Sequence, residues 1–280
     1  MSEWMAGIVS FFDDAWWLRR FCAATALVFA AYAANVLLGE VDPGGPWGYA
    51  YGWLAAALML GAAAIGVRRR MNRAAAKRKL GSTRGWLQFH LYGGTLSLLL
   101  VFMHCGFAVP TGALDFWLWL LSIWVTASGL VGALLQKTIP RMLASGLSVE
   151  VVYERIPELV AHLRARAEGL AAESPDPVRD FYSRRLADAF ARPEARWSYL
   201  TDITGGIQER LREFAYIEGV LSPDERERFT QLRDLYRSKL EIDAHYTLQK
   251  PLRAWLVTHL PVSLLLLALL LIHIFTVVYY

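Results

Sequence analysis

Four of the six histidines share one spacing inside apolar segments of the chain. His90 and His104 are fourteen residues apart, and so are His259 and His273. In an α-helix, fourteen residues advance about 21 Å along the axis and return to within about 40° of the same direction. Each segment therefore presents two imidazoles on one face, at two depths. Because imidazole binds metals and carries protons, this pattern predicts either paired metal sites or a path of polar groups.

The segments that carry these histidines are predicted membrane spans. Five apolar stretches approach or exceed the roughly 20 residues that cross a bilayer. They cover residues 21–38, 49–67, 87–109, 114–135 and 254–280. The 55% hydrophobic fraction exceeds the roughly 45–50% of soluble domains, and the aromatic excess is typical of membrane interfaces. We expect an all-α membrane protein with five transmembrane helices, preceded by an interfacial segment at 4–17.

The distribution of basic residues predicts the orientation. Eight of them lie between the second and third spans: Arg68, Arg69, Arg70, Arg73, Lys77, Arg78, Lys79 and Arg84. The loops at 39–48 and 110–113 contain no Lys or Arg. Since basic loops stay in the cytoplasm, the amino terminus and the 68–86 loop are predicted to be cytoplasmic, with Tyr280 across the cell (inner) membrane. The high pI of about 9.1 is thus explained by topology and membrane lipid, not by nucleic acid.

Residues 137–253 form a polar insert between the fourth and fifth spans. It holds 19 basic and 19 acidic residues, and its apolar residues recur at helical spacing. Helices are predicted over 149–171, 177–190, 207–220 and 223–240, with breaks at 174–177 and 204–206 and an N-cap at Ser222. We expect a helical cytoplasmic lobe without a nucleotide or flavin motif. The predicted domains are 1–136, 137–253 and 254–280.

Two further histidines belong to this insert. His162 and His245 are both predicted to lie on the solvated surface. His245 is fourteen residues before His259, but Pro251 is predicted to interrupt the helix between them.

The order of the spans pairs the four intramembrane histidines. One span separates the two histidine-bearing helices, so these run parallel. His90 then shares the cytoplasmic leaflet with His259, and His104 shares the outer leaflet with His273. This gives two stacked bis-imidazole sites, the arrangement that holds two haems across a membrane. A zinc or proton path is disfavoured because the spans contain no acid except Asp115 at one end.

The pattern resembles the di-haem b-type cytochromes, namely cytochrome b and the ferric-reductase-like transmembrane domains. In both, two nonadjacent helices supply histidine pairs thirteen or fourteen residues apart. The resemblance implies a four-helix haem-binding bundle made by the second to fifth spans, with the first span peripheral. It also implies two non-covalent haem b groups with His90, His104, His259 and His273 as axial ligands. The chain has two cysteines and no CxxC motif, which excludes covalent c-type attachment.

The resemblance also extends to residues around the ligands. Gly94, beside Gly93, resembles the small residues that let a porphyrin approach a helix, and Gly52 and Gly66 are fourteen apart as in the first helix of cytochrome b. The group Ser128, Gly129 and Gly132 is predicted to make helix-packing contacts instead. Arg84 and Arg253 lie just cytoplasmic of His90 and His259, either facing haem propionates or acting as topology residues.

The chain also departs from these families. It has five spans where ferric reductases have six and cytochrome b has eight, and it lacks a flavin module and a Pro-Glu-Trp-Tyr quinol motif. We therefore expect an electron-transfer subunit of a complex, working between soluble or membrane redox partner proteins or quinone. The alternatives are a quinol or ferric/oxygen reductase acting at an exposed haem edge, and a haem-free anchor whose lobe docks a partner.

Overall fold

The computed structural model describes residues 15–39, 42–70, 81–146, 151–219 and 221–279, and every regular element in these ranges is helical. Five helices are long and apolar enough to span a membrane. Within these described ranges, the prediction of an all-helical fold with five helices able to span a membrane by length and composition is confirmed. Positions 4–14 of the expected interfacial segment and the basic residues Arg73, Lys77, Arg78 and Lys79 lie outside the described residues.

The first four spanning helices follow one another along the chain. They are α1 (Ala15–Leu38), α2 (Pro46–Arg70), α3 (Thr83–His104) and α4 (Ala113–Gly146). Helix α1 is joined to α2 by a hydrogen bond of 2.6 Å from the Asn35 amide to the Tyr51 hydroxyl. Its Phe21 ring also packs on Tyr92 of α3, with ring centres 5.2 Å apart.

Helix α3 has a defined start and a sharp end. The Ser82 hydroxyl accepts a hydrogen bond from the Gly85 amide and so caps the first turn. The predicted third span, which continued to position 109, is too long. Gly106 adopts a left-handed φ of 61°, and its amide and that of Phe107 bond back to the carbonyls of Met103 and Phe102. This Schellman reversal, which glycine favours, ends the helix.

The fifth spanning helix, α9, covers Pro223–Tyr279 and is 57 residues long. It begins directly after Ser222, as predicted, and the Ser222 amide donates to the Glu225 carboxylate. The predicted interruption at Pro251 is wrong. A proline removes one backbone hydrogen bond, here to the carbonyl of Thr247, and the fully buried Leu248 holds this stretch of helix in place.

The chain divides into two compact units, and both boundaries fall inside helices. Residues Leu135–Ala254 form one unit, called the lobe below. The described residues of 15–134 and 255–279 form the other, called the membrane unit. The first boundary lies in α4 and the second in α9.

The lobe is a set of short helices around an aromatic core. Its elements are a 3-10 turn (Tyr153–Arg155), α5 (Ile156–Ala172), α6 (Asp176–Phe181), a π-helical turn (Tyr182–Leu186), α7 (Ala187–Ala191), a second 3-10 turn (Trp197–Leu200) and α8 (Ile203–Glu218). Phe214 lies at the centre of the core, with ring centres 5.1–5.6 Å from those of Phe181, Phe229 and Tyr236.

The helical stretch predicted over 177–190 is helical throughout, from Asp176 to Ala191, with the π-helical turn inside it. One boundary predicted for the lobe is wrong. The break expected at 204–206 is the first turn of α8, because the Asp202 carboxylate accepts the Gly205 amide at 2.8 Å and caps the helix. A Cβ at Gly205 would collide with that carboxylate, so the glycine serves the cap.

The two lobe histidines differ in burial. His162 is exposed, as predicted. His245 is only 2% exposed, so its predicted surface position is wrong. Its ring lies 3.3 Å from the Gln249 amide, which also donates to the Val151 carbonyl, and these hydrogen bonds compensate the burial of a polar ring.

Candidate functional site

The α3 histidines are both fixed by backbone carbonyls of α2. Nδ1 of His90 lies 2.9 Å from the Ala62 oxygen, and Nδ1 of His104 lies 2.8 Å from the Gly48 oxygen. The two acceptors are fourteen residues apart, as the histidines are, and α2 packs closely against α3. Because a carbonyl only accepts hydrogen bonds, both Nδ1 atoms carry a proton.

His259 of α9 is fixed by Ser128 of α4. Nδ1 lies 2.8 Å from the Ser128 hydroxyl, which itself donates to the Val125 carbonyl at 3.1 Å. When the hydroxyl gives its one proton to Val125, it accepts from His259, and this Nδ1 is then protonated as well. The Ser128 carbonyl also accepts the Trp255 indole at 2.8 Å, and the Trp255 ring stacks against His259 with centres 5.3 Å apart.

His273 of α9 is paired with a carboxylate. Nδ1 lies 3.0 Å from Oδ1 of Asp115 in the first turn of α4. The two side chains are 24% and 48% exposed. The carboxylate accepts from Nδ1, so the fourth imidazole has the same tautomer as the other three. Asp115 lies thirteen residues before Ser128, so α4 also supplies its two acceptors at nearly the ligand spacing.

The four rings therefore share one hydrogen-bonding pattern. Each Nδ1–H donates to an oxygen of a neighbouring helix, which leaves the lone pair on Nε2. In the part of the chain that the structure describes, none of these Nε2 atoms has a hydrogen-bond partner. Metal-binding histidines use this arrangement, because the bond at one nitrogen orients the ring and makes the other nitrogen more basic.

The structure places the four rings in two pairs. The rings of His104 and His273 have centres 6.5 Å apart and planes inclined at 78°. His90 and His259 lie close enough to interact electrostatically. The backbones of α3 and α9 do not pack along their length in the described ranges, whereas those of α2 and α3 do. Directly packed helices lie about 8–10 Å apart, so the imidazoles face each other across a wider gap.

Three glycines lie against the candidate ligands or their neighbours. A Cβ at Gly52 would come within 3.0 Å of His104 Nδ1, and one at Gly129 within 3.5 Å of His259 Cε1. A Cβ at Gly132 would collide with the Trp255 indole. Among the residues that the structure describes, and apart from the local helix backbone, no atom lies within 4 Å of a Cβ at Gly94 or Gly66, so both face open space there.

The two candidate arginines have different surroundings. Arg253 forms an ion pair with Glu154, and its guanidinium lies 4.5 Å from the ring centre of Tyr153. Arg253 is therefore engaged inside the lobe. Arg84 is exposed in the first turn of α3, on the same helix as His90.

The lobe contains a separate buried ion pair. Nζ of Lys239 lies 2.7 Å from Oδ2 of Asp243, and the side chains are 0% and 1% exposed. The Asp243 carboxylate also accepts the Glu194 amide at 2.9 Å. Burial lowers the pKa of Lys239 and raises the pKa of Asp243, against the opposing effect of each partner's charge. Because the pair is completely buried and is also hydrogen-bonded to the backbone, we assign it a structural role.

Sequence reasoning did not find the roles of Asp115 and Ser128. In the sequence, Asp115 is only an acid at a span end, and Ser128 is only a small residue in a predicted packing group. The sequence does contain one signal for these roles, namely the predicted depth of each residue in its span. Helices α4 and α9 run antiparallel, so Asp115 near the start of α4 lies at the same depth as His273 near the end of α9. Thirteen residues further along α4, Ser128 reaches the level of His259.

The described residues contain no group of three or more His, Cys, Asp or Glu side chains that could hold a bare metal ion. The histidine pairs supply two nitrogen ligands each, which suits an ion whose other ligands come with a cofactor. No family model matches the chain, and no curated protein or solved structure matches it. The functional argument therefore depends on the geometry of the four histidines.

Proposed function

We propose that the chain is a di-haem b-type membrane cytochrome that carries electrons across the membrane. Its electrons would pass between redox partner proteins on the two sides, or between one partner and quinone. The supporting observation is that all four imidazoles place Nδ1 within 2.8–3.0 Å of an oxygen on a neighbouring helix, which favours one tautomer with Nε2 free to bind iron. Haem iron supplies the chemistry, a one-electron change between the ferric and ferrous states.

The spacing of the His104 and His273 rings fits one metal ion between them. The ring centres lie 6.5 Å apart, and metal–nitrogen bonds are about 2.0–2.1 Å long, so one metal ion would be within reach of both imidazoles. A haem iron needs only two protein ligands, because the porphyrin supplies four. Two-histidine sites are therefore sufficient.

The chain's own residues would orient the ligands and exclude water. The acceptors on α2 and α4 hold each ring in the tautomer that directs a lone pair outward from Nε2. The fourteen-residue spacing sets the two levels about 21 Å apart along the helix axis. The open space at Gly94, four residues after His90, leaves room for a planar group beside α3.

The expected location is the cell (inner) membrane, in contact with lipid. The basic residues around 68–84 favour a cytoplasmic amino terminus and lobe. We infer a subunit of a larger complex, because the lobe and the spans contain no flavin or nucleotide motif that would supply electrons. Enzymatic turnover by the chain alone is not required for this role.

The test is the haem content of the purified full-length chain. We expect two non-covalent, low-spin b-type haems per chain in a dithionite-reduced minus oxidised spectrum. His104→Ala and His273→Ala should lose the same haem, and His90→Ala and His259→Ala the other. His162→Ala, at the exposed lobe histidine, should retain both. A haem-free chain would favour the anchor alternative, and joint loss by His90 and His273 variants would contradict the pairing.

A further inference from the structure

The two histidine pairs differ in one chemical respect. Three of the four Nδ1 atoms donate to neutral oxygens, namely two backbone carbonyls and the Ser128 hydroxyl. The fourth, in His273, donates to the carboxylate of Asp115. Since Asp115 is the one charged acceptor among these four, it makes the His104–His273 pair the more electron-rich one.

We propose, on the basis of the proposed function, that Asp115 makes the haem of the His104–His273 pair the lower-potential haem. Asp115 is then the residue that gives electron flow a direction, from the His104–His273 level toward the His90–His259 level. A haem held by His104 and His273 would give one electron to a haem held by His90 and His259, and no bond would form or break. A redox protein on the side of Asp115 supplies the electron.

The physical reason is the charge that accompanies oxidation. A carboxylate that accepts from Nδ1 draws the proton toward itself and increases the electron density at Nε2. A more basic axial ligand stabilises ferric iron, which has one more positive charge than ferrous iron, and so lowers the potential. Asp115 is half exposed, so water weakens its long-range field, but the hydrogen bond to His273 acts directly on the ligand.

Charges at the opposite level act in the same direction. Arg68 follows the His90 acceptor Ala62 by six residues on α2, and Arg84 precedes His90 by six on α3. Positive charge near a haem favours its reduced form and raises its potential.

The experiment is a potentiometric titration of the full chain and of Asp115→Asn. Asparagine keeps an oxygen that can accept from His273 but removes the charge. We expect the equilibrium constant for reduction of the lower-potential haem to rise tenfold or more, a midpoint increase of at least 59 mV, with the other midpoint unchanged. The ferric electron paramagnetic resonance signal of that haem should shift too.

The matched control is Asp42→Asn. Asp42 is an exposed acid six residues before Gly48, at the same end of the membrane unit. Asp42→Asn therefore removes an equal charge near His104, from a residue that is not hydrogen-bonded to a candidate haem ligand. We expect its midpoints to stay at the wild-type values. An equal shift in Asp42→Asn would overturn the assignment to the His273 hydrogen bond.

A second measurement covers the case in which Asp115→Asn loses haem. His259→Ala should retain only the haem of the His104–His273 pair, and its midpoint should match the lower of the two wild-type midpoints. A match with the higher midpoint, or unchanged midpoints in Asp115→Asn, overturns the inference while leaving a di-haem cytochrome intact. Absence of haem from the wild-type chain would instead reject the proposed function.

Discussion

Replacement of Ser128 by alanine should weaken haem binding at one level only. The substitution removes the hydroxyl that accepts from His259 Nδ1. It keeps the Ser128 backbone carbonyl, and with it the hydrogen bond from the Trp255 indole that positions the stacked ring. The variant therefore isolates the orienting hydrogen bond from the surrounding packing.

The size of the effect follows from the burial of His259. The residue is 9% exposed, so water cannot readily replace the lost acceptor. An unsatisfied buried donor costs about 1–3 kcal/mol. Loss of an outer partner of a metal-binding histidine typically lowers affinity by about 10–100-fold, which is about 1.4–2.8 kcal/mol. The two estimates agree, so we expect faster haem loss by at least one order of magnitude at the His90–His259 level.

The assay is transfer of haem from the purified chain to an excess of a haem-scavenging protein, followed by absorbance. Ser122→Ala is the matched control, because Ser122 is on the same helix, is 2% exposed and donates only to the Leu118 carbonyl of its own helix. We expect Ser122→Ala to match the wild type. Equal haem loss from both variants, or loss from the His104–His273 level in Ser128→Ala, would refute the reasoning.

Three further predictions concern packing and the lobe. Gly132→Ala should destabilise the membrane unit by about 1–3 kcal/mol and accelerate haem loss, because the added Cβ collides with the Trp255 indole. Gly66→Ala is the control and should be tolerated. Thermal unfolding and haem retention are measured for the two variants. Lys239→Met should destabilise the lobe by about 3–5 kcal/mol, because it leaves Asp243 buried without its partner. The double variant Lys239→Met, Asp243→Leu should recover most of this loss. Denaturant titrations followed by circular dichroism measure the stability of each variant. In Lys239→Met the pKa of Asp243, already raised by burial, should rise further. Between the ordinary carboxyl pKa and the raised one, the folded state keeps a proton that the unfolded state has released, so the stability of the variant should fall as the pH increases. A stability that does not change over that pH range would contradict this explanation.

The coarse architecture was predictable because it depends on local composition. Runs of apolar residues identified the five spanning helices, and helical periodicity identified the lobe as α-helical. Ends set by particular contacts were harder to predict. The third span ends at His104 through the left-handed Gly106, and α9 passes through Pro251 because neighbouring packing outweighs one missing hydrogen bond.

The candidate ligands were also visible in the sequence, since four histidines at one spacing in apolar segments are conspicuous. Their hydrogen-bond acceptors were not. Asp115 and Ser128 are ordinary residues on a different helix, and their roles depend on the depth and rotation of α4 against α9. Carbonyl acceptors such as Ala62 carry no side-chain signal at all.

The spacing of the paired histidines along the chain has a consequence for synthesis. The partners of both pairs are separated by 169 residues, because the lobe is made between them. At about 5–20 residues per second, α9 emerges about 10–30 s after α3. During that interval α2 can already orient His90 and His104, while their partners do not yet exist. Under the proposed function, a haem would therefore find both of its histidine ligands only after α9 has inserted.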